Sequence, residues 1–183
     1  MTRQINQSIQ GLNTLGGDCF PECSENLPQE IGSILLEVNQ TLAVAESCTS
    51  GRVAARITSV PGSSAYFKGG VISYSTALKK KLLKVKKALL DHHTEVSGEV
   101  AKAMAIGVRQ LTAADWAIST TGVAGPDRGV DGNPVGTLFI GVCGPGCVSA
   151  HAFQLRKMAR EKFVERAVEQ ALAVLICALR LGS

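Results

Sequence analysis

Aromatic side chains are scarce in this sequence: they make up 4% of its 183 residues, with a single Trp and two Tyr. Proteins that bind single-stranded nucleic acid stack bases on such rings, so that class lacks its usual instrument here. A long apolar run is missing too. Even Leu172 to Leu181 is short and contains Arg180, far from the roughly 20 apolar residues a membrane helix needs. Met1 to Gly17 is polar and has no apolar core of a secretory signal, which makes the cytoplasm the expected compartment and excludes a membrane partner. Histidine is limited to His92, His93 and His151, with no pair at i, i+4, which speaks against a helical catalytic zinc centre. Nor is one sign of charge in large excess. The 19 basic and 15 acidic residues leave +4, with a pI near 8.8, a mild balance that suits a small anionic ligand without demanding one.

What is present points to an ordinary globular domain. Hydrophobic residues reach 45% and charged ones 19%, which rules out wholesale disorder. A chain of this length buries roughly 70% of its unfolded surface, so its core needs neither disulfides nor metal. Nineteen glycines beside so few aromatics indicate an aliphatic α/β domain with many tight turns. The Cys19/Cys23 and Cys143/Cys147 pairs have C-x3-C spacing, the loose end of zinc-ligand spacing. The plainer reading is that Cys143-Gly-Pro-Gly-Cys147 is a turn and that Cys177 is a small hydrophobe in an apolar helix. In a reducing compartment structural disulfides are rare, and no metal is assigned.

Hydrophobic periodicity divides the chain. Residues 1–26 lack a period and are expected to form a loose extension, followed by one domain over 27–183. Ile31, Ile34, Leu35 and Val38 recur at helical spacing within Leu27 to Asn39. Thr41 to Ala45 reads as a buried strand, Glu46 to Gly51 as a turn, and Val53 to Ile57 as a helix stopped by Pro61-Gly62. Gly69-Gly70 opens a strand over Val71 to Tyr74, and a lysine-rich helix runs from Ser75 to Val85. Ser97 caps a helix that reaches Leu111, with Glu99 in its first turn. Ala114 to Thr120 is a strand leading into the loop Thr121 to Pro126. Pro134 to Val142 and Val148 to Phe153 form a hairpin around Gly144-Pro145-Gly146, and a last helix spans Ala159 to Leu181. Strands alternating with helices predict a three-layer α/β/α domain with a mainly parallel or mixed sheet, closed by a C-terminal β-hairpin plus helix. There is no internal repeat and no linker.

Several segments bear chemistry. Glu46-Ser47-Cys48-Thr49-Ser50-Gly51 joins a strand end to a helix N-terminus, whose free N–H groups and positive end make an anion cradle. Gly62-Ser63-Ser64 is another hydroxyl-rich turn. Tyr74-Ser75-x3-Lys79 sets a phenol at a strand end and an amine one helical turn later. The glycines of Thr121 to Pro126 let backbone approach a ligand closely, and open α/β sheets bind ligands where such loops leave the strands. A hydroxyl, an amine and a phenol suggest a serine nucleophile activated by a neutral lysine. Free lysine titrates near 10.4, so desolvation or a neighbouring cation such as Lys80 would have to lower it. Each piece also has a plain structural use, since serines cap helices and helix-face lysines are usually solvated.

The blocks AESCTSGRVAARITSVPGSSAYFKGGVISYSTALKKKLL, VSGEVAKAMAIGVR, TTGVAGP and NPVGTLFIGV occur in that order. Together they closely resemble the CinA carboxy-terminal domain family, over about Leu27 to Leu179. Stand-alone members of that family are nicotinamide-nucleotide amidohydrolases, which convert nicotinamide mononucleotide to nicotinate mononucleotide and ammonia in pyridine nucleotide salvage. The resemblance implies that activity, with no metal and no cofactor, and a homo-oligomer. Larger CinA proteins carry an additional amino-terminal pyrophosphatase-like domain, for which 183 residues leave no room. Carried onto this chain, the Ser–Lys pair falls on Lys79 and one of two serines, Ser64 or Ser47, with Ser64 placed first. Tyr74 occupies the family's tyrosine position. Thr49, Ser63, Thr121, Gly122, Gly125 and Arg160 fall at the substrate.

The chain departs from the family pattern at several points. Ser50 replaces the first glycine of ESCTGG, Arg128 interrupts GP-x-GG, Asn133 stands where a lysine precedes PVG, Lys84 stands where a glycine precedes Val85, and Val164 replaces an arginine. These changes bear on substrate binding and leave Ser47, Ser64, Tyr74 and Lys79 in place. A nucleotide-binding protein without turnover is the alternative reading. Nucleic-acid binding through Lys79, Lys80, Lys81, Lys84, Lys86 and Lys87 is a third, weakened by the absence of interleaved aromatics.

Overall fold

Leu42–Glu46 forms the first strand, β1, buried along its whole length. Leu42 and Val44 enter one apolar cluster, Ala43 and Ala45 another. A strand buried on both sides belongs to a sheet with helices on each face. That is the arrangement in the computed structural model, which describes residues 26–155 and 158–182. β1 pairs in parallel with β2 (Phe67–Ile72) and with β3 (Trp116–Gly122). β4 (Thr137–Gly144) runs antiparallel to β3, and β5 (Cys147–Gln154) antiparallel to β4. The sheet is therefore mixed, in the order β2-β1-β3-β4-β5, and ends in the expected hairpin.

One face is covered by α1 (Leu27–Glu37), α2 (Arg52–Thr58) and α6 (Arg160–Gly182). Ile31, Leu35, Val53, Phe163, Leu172 and Leu175 from these helices pack on Leu42, Ile118, Leu138 and Ile140. Full burial of each such side chain contributes about 1.5–3 kcal/mol. The other face carries α3 (Thr76–Leu83), α4 (Lys87–His93) and α5 (Gly98–Thr112). There the sheet offers small residues, and α5 lies close on it. A Cβ at Gly141 would sit 2.3 Å from the carbonyl oxygen of Ala101. Ser97 caps α5 as expected, accepting from the N–H of Val100.

Three boundaries differ from the sequence reading. β2 contains Gly69 and Gly70 instead of starting after them, because Gly70 lets β2 approach β1: a Cβ there would lie 2.4 Å from the carbonyl oxygen of Val44. β3 continues through Thr121-Gly122, which the sequence assigns to the loop. The lysine-rich helix stops at Leu83, where Lys84 adopts φ 56°, and a separate helix, α4, follows. The expected extension over 1–26, with Cys19 and Cys23, lies outside the described residues except for Asn26. Cys143 lies by Arg109 on the α5 side, while Cys147 packs into the α6 cluster, so the two thiols sit on opposite faces of the hairpin. Among the described residues no group of His, Cys, Asp and Glu is disposed to hold a metal ion, and no helix is long and apolar enough to cross a membrane.

Candidate active site

β1 and β3 are parallel neighbours, yet the chain leaves their carboxyl ends toward opposite edges of the sheet, to β2 and to β4. A crevice opens at such a switch point. Here it is a cleft of about 660 Å³, lined among others by Ser47, Tyr74, Lys79, Glu95, Thr121 and Arg160.

Ser47 is the first residue beyond β1, and its N–H still bonds the carbonyl of Thr120 at 3.0 Å, which fixes it to the end of the ladder. The preceding residue, Glu46, is 1% exposed and folds its carboxylate under the turn. One oxygen accepts from the Thr49 hydroxyl at 2.6 Å and from the N–H groups of Gly51 and Val53 at 2.9 and 3.1 Å. The other accepts from the Ala54 N–H at 2.9 Å. The anion cradle expected at the start of α2 is therefore filled by the chain's own carboxylate. Thr49 is fully buried, its hydroxyl shared between Glu46 and Thr120. Its role is to build the turn that presents Ser47.

Lys79 reaches the same point from the other side. Ser75 caps α3 by accepting from the N–H of Leu78, which sets Lys79 one turn into the helix with its side chain 1% exposed. Its Nζ stands 3.2 Å from Ser47 Oγ and 3.1 Å from Glu95 Oε2. Glu95, between α4 and α5, also accepts from the Thr76 hydroxyl, and its backbone carbonyl accepts from Thr121 Oγ1 at 2.9 Å. Sequence reasoning missed Glu95 and Thr76. Their only sequence signal is a lone carboxylate two residues ahead of a helix cap, and no spacing rule ties it to a lysine in another helix.

The remaining sequence candidates separate. Ser64 is exposed on a short 3-10 turn, Ser63–Ala65, and neither it nor Ser63 lines the cleft. Of the two candidate serines, it is Ser47 that the fold brings to Lys79. Tyr74 is 55% exposed at the rim, where its hydroxyl accepts from Arg160 Nη2 at 2.7 Å. Arg160 Nη1 donates to the carbonyl of Gly125 at 2.8 Å, so one guanidinium spans both lips of the cleft. Cys48, beside Ser47, is no rival nucleophile, since burial pushes its thiol from 9.0 to about 12.

The departures also find their places. Ser50 and Lys84 both occupy left-handed backbone, at φ 53° and 56°. Asn133 donates to the carbonyl of Val96 and to Asp131, each at 2.9 Å, and so pins the loop after β3 to the start of α5. Arg128 is exposed and donates to the carbonyl of Gly132. Val164 is buried in the α6 cluster.

A model of the CinA C-terminal domain family matches residues 24–179. A CinA-like protein from Acaryochloris marina is 44% identical, over 93% of this chain and 42% of that protein. A putative competence-damage inducible protein from Halothermothrix orenii is 48% identical, over 72% of this chain and 32% of that protein. The chain thus spans less than half the length of the curated relatives it matches. Among solved structures, a CinA superfamily protein from Escherichia coli superposes with a TM-score of 0.85 at 28% identity, covering 92% of this chain and 99% of that one. The competence/damage-inducible protein CihA from Agrobacterium tumefaciens gives a TM-score of 0.81 at 31% identity, with 88% and 98% covered.

Proposed function

Because the chain belongs to the CinA C-terminal domain family, we propose that its cleft hydrolyses the carboxamide of nicotinamide mononucleotide to nicotinate mononucleotide and ammonia. The observation that carries this reading is the 3.2 Å contact between Lys79 Nζ and Ser47 Oγ, which couples a buried amine to a hydroxyl at the mouth of the sheet. It favours Ser47 over Ser64 as nucleophile.

In this reading, Lys79 takes the proton of Ser47 as Oγ bonds to the amide carbon, and the Glu95 carboxylate offsets the charge that forms on Nζ. The cationic pyridinium ring withdraws electrons from that carbonyl and eases the attack. Glu46 and backbone carbonyls take up the other N–H groups of this turn, so the tetrahedral oxyanion falls to those of Cys48 and Thr49, just after the nucleophile. As the C–N bond breaks, Lys79 returns its proton to the leaving nitrogen, ammonia departs, and nicotinoyl remains on Oγ. A water molecule, deprotonated by Lys79, then attacks the ester, and Ser47 recovers its proton as it leaves. Arg160 holds the phosphate, since a guanidinium grips phosphate with paired N–H groups. No step calls for a metal or cofactor, and turnover in the presence of a strong chelator checks that.

Ammonia release from the purified chain tests the reading. S47A should lose about a thousandfold or more in kcat, while S64A stays within about twofold. Peptide mapping after acid quench should find the nicotinoyl adduct on Ser47. An adduct on Ser64 moves the nucleophile, and binding without ammonia release favours a nucleotide-binding protein instead.

A further inference from the structure

We infer that Glu95 occupies the Lys79 ammonium against the reaction's own product, so that the cleft tells the neutral carboxamide from the carboxylate it becomes. The inference rests on the amide hydrolysis proposed above. Amide hydrolysis exchanges an uncharged group for an anion at Ser47, and the nearest cation is Lys79, one hydrogen-bond length away. An ammonium that is 1% exposed and unpaired would capture that anion in a charge-assisted bond, strengthened by the exclusion of water. Such a bond would turn the product into an inhibitor.

Glu95 takes one of the three N–H donors of Lys79 and balances its charge, and this carboxylate is fixed in place. Glu95 Oε2 sits 3.1 Å from Nζ, while Oε1 accepts from the Thr76 hydroxyl. The backbone is tied as well: Thr121 Oγ1 donates to the carbonyl of Glu95, and Asn133 Nδ2 to that of Val96. The Glu95 side chain remains 39% exposed on the cleft, so its charge also faces an incoming carboxylate. Asp127 and Asp131 line the same cavity and add to that repulsion, while the charge of Asp91, also in the lining, is balanced by Lys87 at 2.6 Å. Arg128 and Arg160, the cleft's other cations, stay available for phosphate. A neutral carboxamide neither competes for the ammonium nor feels the repulsion. Glu95 thus acts through Lys79 and does not itself touch the reacting carbon.

The test is calorimetric titration with nicotinamide mononucleotide and with nicotinate mononucleotide, in the S47A background so that nothing turns over. Adding E95Q should tighten the acid about tenfold or more while moving the amide by about threefold at most. E95D should restore weak binding of the acid, and T76V, which frees one carboxylate oxygen, should shift the acid in the same direction as E95Q but less. Product inhibition of the active chain should sharpen in parallel. Affinity for the acid that E95Q leaves unchanged, or that moves together with affinity for the amide, overturns the inference. If E95Q does not fold, T76V decides on the same criterion. Ammonia release by the unaltered chain reads the proposed activity separately. A chain that releases ammonia, with an E95Q product affinity that does not move, refutes this inference alone. A chain that releases none, yet shows the acid-selective shift, refutes the activity and keeps the discrimination.

Discussion

Arg160, at the start of α6, and Tyr74, beyond the end of β2, are 86 residues apart and joined by a 2.7 Å hydrogen bond. The same guanidinium bonds the carbonyl of Gly125 at 2.8 Å, on the opposite lip. Its plane is thereby fixed before any ligand arrives, and its remaining N–H groups are aimed by that framework. Preorganisation of this kind favours bidentate capture of a phosphate over looser contact with an uncharged sugar.

R160A should therefore raise KM for the mononucleotide about tenfold or more, and affect the phosphate-free riboside much less. R160K keeps the charge but cannot span both lips, so it should fall between. Equal losses on both substrates would mark the arginine as a scaffold for Tyr74 and the loop.

Lys79 is buried along its stem, so a truncation confuses packing with chemistry. Methionine keeps most of the apolar stem and removes the amine. K79M should keep the circular dichroism spectrum and lose about a thousandfold or more of kcat. Turnover near that of the unaltered chain would remove the Ser47–Lys79 pair from the mechanism.

The elements that read clearly from sequence are those where local pattern and burial agree. The helical period of Ile31, Ile34 and Leu35 and the apolar run at β1 both form as expected. The hairpin turn before Cys147, where Gly146 takes φ 72°, does so too. The misread elements answer to distant partners. Gly70 is a glycine because of Val44, on the neighbouring strand, and looks like a strand-breaker to any local rule. The short helix α4 has an exposed face of mixed charge and histidine, with Leu90 as its one buried residue, so no apolar period announces it. In the site, Lys79 stands out from its motif. Its meeting with Ser47 follows from the order of β1, β2 and α3, and its pairing with Glu95 from the path of the chain between α4 and α5, neither of which spacing encodes. Ser64 shares the hydroxyl-rich signature of Ser47, and only the fold separates them.

Ser50 and Lys84 stand where the resembling family has glycine, and both retain the left-handed backbone that glycine adopts without cost. For an L side chain that region is disfavoured by about 1–2 kcal/mol. Lys84 is also the residue that ends α3, a position where glycine is the commonest choice. K84G should stabilise the chain by about 1 kcal/mol and raise Tm by about 2–4 °C. S50G should act likewise, less strongly if its weak 3.4 Å bond to the Ser47 carbonyl contributes. A fall in Tm for both would mean that their side chains do more than the backbone requires.

Asp115, just ahead of β3, accepts from the hydroxyl and the N–H of Thr41 through one oxygen, at 2.7 and 2.8 Å. The hydroxyl bond is the main cause that holds this carboxyl below its ordinary 3.8; the N–H bond and the charge of Arg109 add to it, and burial opposes them. A carboxyl whose folded value is depressed contributes its stability in full above 3.8 and loses it as the pH falls through the folded value. Chemical denaturation from about pH 6 to about pH 3 should show a steeper acid loss in the unaltered chain than in D115N or T41V. Identical acid limbs would assign the loss to other carboxylates.

Glu46 offers the sharpest trade between stability and activity, because its carboxylate does what a ligand was expected to do. Three N–H groups at the start of α2 and one hydroxyl converge on its two oxygens, in a place that is 1% exposed. E46A leaves those donors buried and unpaired, at a cost of about 3 kcal/mol, or about 6–12 °C in Tm at this chain length. E46Q keeps the shape but turns one acceptor into a donor that faces an N–H, and should cost about half as much. Both should also depress kcat, because the turn that Glu46 braces carries Ser47 to within 3.2 Å of Lys79. Scanning calorimetry and ammonia release on the two variants check this together. If E46Q melts with the unaltered chain, the cap does not depend on a carboxylate. If E46A melts low yet turns over at full rate below its transition, Ser47 is held by the β1–β3 ladder alone.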